Sequence, residues 1–183
     1  MRSQGGRLAL GARRLIAVWL GVVLLGLLGC TDPEASAYVE VVDGKLTATR
    51  PVGWEVPVEV DEPWTSGYRP NPASIEQVQF SGDFGEYATA GEAVGTLIGQ
   101  AQIKLAEFTV VETRDVEVPG ATTAQVVRYT ILDNANSQLS GTWIVAAHWP
   151  YPQSVAVSIL LPQHDPDLER QVLDSMRMRP VLA

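Results

Sequence analysis

Apolar and polar residues alternate along most of the chain, and the period of that alternation changes twice. Tyr38–Val42 and Lys45–Thr49 are β-prone runs on either side of Asp43-Gly44. An Asp-Gly pair in that setting predicts a tight hairpin whose two turn residues take positive φ. Pro51-Val52-Gly53-Trp54 ends the second strand. Residues 55–73 hold Pro57, Pro63, Pro70 and Pro72. So many residues without a backbone donor exclude a regular central strand, which leaves an irregular excursion or a short edge segment. Ser74–Phe80 alternates imperfectly and reads as a strand, and Ser81–Ala88 (SGDFGEYA) reads as a glycine-rich loop.

The period then becomes helical. Thr89 stands three residues before Glu92, the spacing of a capping box. Val94, Leu97, Ile98, Ala101, Leu105 and Phe108 follow as one apolar stripe, which predicts a half-buried helix lying on a flat surface. Period two returns in Val110–Val118 and Thr122–Leu132, joined at Pro119-Gly120. Within the second run Val127, Tyr129 and Ile131 point one way, Arg128 and Thr130 the other. Asp133–Ser140 is a turn, and Thr142–Trp149 pairs with Ser154–Leu161 across Pro150-Tyr151-Pro152. Val155, Val157, Ile159 and Leu161 form a continuous apolar face, as a central strand packed against helices should. Asp165-Pro166 opens a second helix, a cap followed by proline at the first helical position. Leu168, Val172 and Met176 are its buried stripe, and Pro180 stops it. Antiparallel strands covered by helices define an α+β fold.

Ahead of this region lies an apolar run. From Leu15 to Leu28 every residue is apolar or glycine, fourteen in all, preceded by Arg2, Arg7, Arg13 and Arg14 and no acidic residue. A spanning helix needs about 20 such residues, so the run fits the apolar core of a secretory signal. It ends in Leu27-Leu28-Gly29-Cys30, which resembles the bacterial lipobox, with Leu28 bulkier than the usual small residue at that position. The resemblance implies a signal peptide over residues 1–29 that is cleaved, diacylglycerol on Cys30, and a protein held at the extracytoplasmic face of the cell membrane. Arg13-Arg14-Leu15-Ile16 also resembles a twin-arginine signal, with Ala12 in place of the Ser/Thr, so both export routes stay open. Residues 30–37 then form the lipidated cysteine and a short polar tether, and residues 38–183 the domain.

Charge and cysteine usage narrow the function. Without residues 1–29 the chain carries nine Lys and Arg against 21 Asp and Glu, a formal charge of −12. Binding nucleic acid or anionic lipid through a broad surface needs clustered basic residues, and this balance argues against both. Cys30 is the one cysteine, so once lipidated it leaves neither a disulfide nor a thiol nucleophile, and packing alone must hold the domain.

Several short segments carry a family resemblance: Pro51-Val52-Gly53-Trp54 after the early hairpin, the helix near Ala90–Phe108, Val116-Glu117-Val118-Pro119-Gly120 leading into Ala124–Tyr129, and Leu173-Asp174-Ser175-Met176-Arg177. In this order the chain resembles the PsbP-like superfamily over roughly residues 38–179, and within it the actinobacterial LpqN-like surface lipoproteins. The resemblance implies an α-β-α sandwich around a central antiparallel sheet, with Val155, Val157 and Ile159 among the residues that face the long helix. It implies a binding, assembly or stabilising role and no reaction, since a fold alone does not specify chemistry.

The residues themselves agree on the absence of catalysis. No G-x-S-x-G motif and no Gly-Lys-Ser/Thr phosphate loop is present, and the two histidines, His148 and His164, lack the short spacing of a zinc site. His164-Asp165-Pro166-Asp167 reads as a polar loop with a helix cap. The expectation is a non-enzyme without cofactor or metal. Aromatic residues in loops are the remaining candidates. Trp64, Tyr68, Tyr87, Trp149 and Tyr151 fall in segments read as loops, as does Phe84. Amphipathic rings there either grip an envelope lipid, glycan or protein or close the ends of the core. Trp54 and Trp143 suit the core. Three classes follow: a tethered binding module, an accessory subunit of a membrane complex without a small ligand, and an unrecognised envelope hydrolase.

The lipobox yields a direct expectation. A fatty-acid analogue fed to cells should label the wild-type protein and not Cys30→Ser; equal labelling of the two would remove the anchor.

Overall fold

A computed structural model describes residues 36–181; Cys30 and the signal segment lie outside them. Strand β1 (Tyr38–Asp43) pairs with β2 (Leu46–Pro51), and the short strands β3 (Val56–Pro57) and β4 (Ser66–Arg69) follow. Strand β5 (Gln77–Gly85) leads into helix α1 (Ala90–Lys104), after which come β6 (Thr109–Val116), β7 (Thr123–Leu132), β8 (Gln138–His148) and β9 (Gln153–Leu161). Helix α2 (Pro166–Ser175) and β10 (Arg177–Met178) complete the order. The strands form one sheet ordered β1-β2-β10 and a seven-stranded sheet ordered β3-β4-β5-β9-β8-β7-β6. All pairings are antiparallel. The architecture is mixed α and β, with two helices among the described residues.

Strict alternation in the long strands sends side chains to two separate cores, because successive residues of a strand face opposite sides of the sheet. Val126, Ile144, Val155, Val157 and Ile159 pack with Leu168, Val172 and Met176 of α2, with Leu46 and Ala48 of β2, and with Met178. On the other side Val127, Tyr129, Trp143, Val145 and Ala156 pack with Ala90, Ala93, Val94, Leu97 and Ala101 of α1. Val155, Val157 and Ile159 therefore face α2, and the expectation that they face the long helix is corrected. The long helix lies on β7 and β8, which present Val127, Tyr129, Trp143 and Val145 to it.

Both helices start as their caps dictate. The Thr89 side chain accepts from the Glu92 amide while the Glu92 carboxylate bonds back to the Thr89 amide, and Asp165 accepts from the amides of Asp167 and Leu168. Helix α1 stops at Lys104, with Leu105 as its cap. Phe108 thus reaches the core from a loop, and its helical spacing from Leu105 is coincidental.

Two turns depart from expectation. Asp43 is opposite Leu46, so the hairpin turns on Gly44-Lys45, and only Gly44 has positive φ (53°). The freed Asp43 carboxylate instead accepts hydroxyl bonds from Thr65 (2.6 Å) and Ser66 (2.7 Å). Ser81–Gly85, expected as loop, continues β5 with an irregularity opposite β9. Gly82 lies there because the hairpin tip presses on it: a β-carbon at Gly82 would collide with the Asp43 carbonyl oxygen. The Lys45 amide completes the junction by donating to the Gly82 carbonyl at 3.2 Å.

Leu97 tests the packing of α1. Leu97 is 6% exposed, and Leu97→Ala should cost about 2–5 kcal/mol. Gln102→Ala, on the exposed side of the same helix, should cost under about 0.5 kcal/mol. Denaturant melts compare them directly, and equal midpoints would detach the helix from the core.

Candidate functional site

Helix α1 covers β7 and β8 but leaves the β9 and β5 part of the same face open. A cleft of about 290 Å³ occupies that place, between α1 on one side and the segment 59–64 on the other. Its floor combines Tyr129 and Ile131 of β7, Trp143 of β8, Ser158 and Leu160 of β9, and Gln77 and Gln79 of β5. Leu97, Gln100, Ala101, Lys104 and Leu105 line the helix side.

An aromatic stack fixes the floor. The rings of Tyr129 and Trp143 are 4.2 Å apart, with Phe108 at 5.3 Å from the first and 5.7 Å from the second. Tyr129 is directly opposite Gly141 in the β7–β8 ladder, and a β-carbon at Gly141 would collide with the tyrosine ring. The glycine lets the ring lie across the neighbouring strand beside Trp143. Burial pushes the Tyr129 phenol up to about 12, against the opposing effect of its bonds to Ser158 and Trp143. At neutral pH the hydroxyl is therefore protonated, a neutral hydrogen-bonding group rather than a phenolate.

Segment 59–64 is held from below. The Trp64 amide bonds to the Asp61 carbonyl (3.0 Å), the Ser81 hydroxyl donates to the Pro63 carbonyl (2.5 Å), and the Thr65 amide donates to the Phe80 carbonyl (2.9 Å). The Trp64 ring leans on Phe84 at 5.6 Å. Glu59, Asp61 and Glu62 line this side of the cleft. Among the described residues none of the three carboxylates forms an ion pair or side-chain hydrogen bond.

The aromatic candidates from the sequence are split among three places. Trp64 lines the cleft. Tyr87 is on the same side of the sheet, 6.1 Å from Phe84. Tyr68 lies on the opposite side, edge-on to Phe80 at 6.1 Å, with the Arg50 guanidinium 4.8 Å above its ring. Trp149 and Tyr151, 57% and 43% exposed, occupy the β8–β9 turn. Tyr129, Trp143, Ser158 and the glutamines were not singled out by sequence. The signal for them is a tyrosine opposite a glycine, which only the strand register exposes.

Sequence reasoning also missed a buried carboxylate. Glu169 on α2 is 6% exposed and receives Arg114 of β6 at 2.7 Å, His164 Nε2 at 2.8 Å and the Thr142 hydroxyl at 3.3 Å. Arg128 Nε stands 3.7 Å away, while its Nη2 bonds Glu112. Burial alone raises the Glu169 carboxyl; the bonds from Arg114 and His164, with Arg128 nearby, outweigh it and hold the group below its ordinary value. His148 Nδ1 meets the Gly120 carbonyl at 3.1 Å. Among the described residues no group of three His, Cys, Asp or Glu is poised to hold a metal.

No protein-family model and no curated protein sequence matches the chain. Solved structures resemble it in fold. The Ran-binding protein Mog1p of Saccharomyces cerevisiae aligns with a TM-score of 0.50 at 11% identity, over 77% of this chain and 95% of Mog1p. A mutant form of Mog1 aligns at 0.49 and 12%, over 77% and 94%. The likeness is one of fold.

Glu169 carries a pH expectation. Its folded value is depressed, so its contribution is complete above the unfolded carboxylate value of about 4.3 and is lost as pH falls below that. Glu169→Gln should cost about 1–3 kcal/mol at pH 7, since it strands partly buried cations. The gap from wild type should narrow progressively as pH falls below about 4.3. A gap independent of pH would show that the charge does not matter.

Proposed function

We propose that the protein is a non-catalytic binding module, lipid-anchored through Cys30 to the extracytoplasmic face of a bacterial cell membrane, and that the cleft beside α1 is where it binds. The observation that carries this reading is the cleft itself. Its floor is apolar and aromatic with neutral polar groups converging on it, its sides carry Glu59, Asp61, Glu62 and Lys104, and its volume is near the lower end of the range of small-molecule sites. Binding chemistry without catalysis suits its residues. Tyr129 is held protonated, the amides of Gln77, Gln79 and Gln100 are neutral, and neither histidine lines the cleft. The signal-like run and Leu27-Leu28-Gly29-Cys30 support the anchor. An early hairpin, a long helix, four hairpin-connected strands and a last helix support membership of the PsbP-like superfamily. That Mog1p is named for binding Ran is in keeping with a binding role and says nothing of this protein's partner.

A specific observation favours a second reading, that of an accessory subunit. Val110 and Val111 of β6, the last strand of the seven-stranded sheet, are 37% and 62% exposed, and exposed apolar side chains on an unpaired strand edge suit docking to another protein.

Gln100 separates the two. It is exposed on the helix side of the cleft, so Gln100→Trp fills the cleft without touching the core. Native mass spectrometry of the protein isolated from its own membranes should show a bound small molecule in the wild type and none in Gln100→Trp. No adduct in either, or the same adduct in both, would overturn the cleft reading.

A further inference from the structure

We infer that the cleft selects an organic cation, an ammonium or guanidinium group on an apolar body. This rests on the reading of the cleft as the binding site and names its ligand class. Two independent features of the same cleft converge on a cation. The first is charge. Glu59, Asp61 and Glu62 form one side and only Lys104 opposes them, and the three carboxylates have no partner among the described residues. Residues 55–88 carry seven carboxylates and a single basic residue, Arg69, so no neighbouring cationic stretch cancels the field. Low-dielectric walls concentrate such a field inside a cleft. The second feature is aromatic. Trp64 lines the carboxylate side of the cleft and is only half-buried, whereas Trp143 and Tyr129 are 4% exposed and serve as apolar floor; ring faces attract cations, tryptophan most strongly, with the effect growing as water is removed.

Other ligand classes fit less well. An anion would meet three carboxylates for one ammonium. A metal ion would find no trio of ligating groups. A cation with an apolar stem satisfies both parts: the stem lies on Leu97, Leu160 and the rings, while the head reaches the carboxylate side. The amides of Gln77 and Gln79 remain free to bond whatever polar group the stem carries.

The test uses the full-length protein purified in a non-ionic detergent and three probes of similar length. Agmatine is the cation, adipate the anion and adipamide the neutral analogue. Titration calorimetry should show agmatine binding at least about tenfold more tightly than either other probe, weakening as salt rises. The triple variant Glu59→Gln, Asp61→Asn, Glu62→Gln should lose about tenfold or more. A control triple of equal charge change, Glu40→Gln, Glu117→Gln, Asp174→Asn, at exposed sites outside the cleft lining, should lose little. N-acetyl-arginine methylamide compared with agmatine distinguishes an arginine side chain of a protein from a free organic cation. Agmatine binding no tighter than adipamide, or equal losses in the two triples, would overturn the inference. If adipate or adipamide then binds and Gln100→Trp abolishes that binding, the cleft remains a site and only its selectivity for cations falls.

Discussion

The meander β6–β9 is buried on both faces at its centre, and the chain must cover each face with a different partner. Ile144 and Val157 are fully buried against α2 and β2, and Val145 and Ala156 are fully buried against the α1 side. A strand of this kind admits no polar side chain in its middle without a bonding partner, which is why GTWIVAAH of β8 is apolar over most of its length. The covers are unequal. Helix α2, β2 and β10 together screen one face, whereas the connection from β5 to β6 covers the other with α1 and the flanking rings of Tyr87 and Phe108. That single helix reaches β7 and β8, and what it cannot reach becomes the cleft.

Polar clasps fix both covers in place. On the α2 side Glu169 draws Arg114, Arg128, Thr142 and His164 together, joining the start of the helix to β6, β7 and β8. A carboxylate this buried is tolerated only because donors surround it. On the hairpin side Asp43 takes two hydroxyl bonds from residues 65 and 66, while Lys45 bonds Gly82 and pairs with Asp83 at 2.7 Å. These contacts fix residues 65 and 66, directly after segment 59–64, and the segment itself is tied to β5 by the Ser81 hydroxyl on the Pro63 carbonyl.

Local signals were legible in the sequence and long-range ones were not. The Thr89 capping box, the Asp165-Pro166 start of α2 and the alternation in β7 depend on neighbours within a few residues, and each appears where its pattern places it. The hairpin register moved by one residue because Gly44 alone supplies positive φ, while Asp43 is engaged by Thr65 and Ser66, which are distant in sequence. Ser81–Gly85 looked like a loop because its glycines suggested turns, yet Gly82 is there for a close approach of the hairpin tip. The assignment of Val155, Val157 and Ile159 to α1 failed for a related reason: a period of two says that a strand has two faces but not which helix covers which. Of the cleft, only Trp64 was anticipated as a site residue.

The sequence of β5 explains why the cleft stays open. Val78 and Phe80 alternate into the core shared with α2, while Gln77 and Gln79 alternate to the α1 side and line the cleft. On β9 the residues facing the same way are Ala156, Ser158 and Leu160. Drawing α1 over β5 and β9 would bury two primary amides, and an amide without a bonding partner in an apolar setting costs roughly 1–3 kcal/mol by mutational measures. The helix would also bring Gln100 and Lys104, which border that side beside Leu97, Ala101 and Leu105, down onto those amides. Each half of the boundary therefore disfavours closure: the sheet offers amides, and the helix offers an amide and an ammonium. A groove bordered in this way is a stable feature of the folded chain, open to solvent until a ligand supplies both an apolar surface for the rings and polar partners for the glutamines.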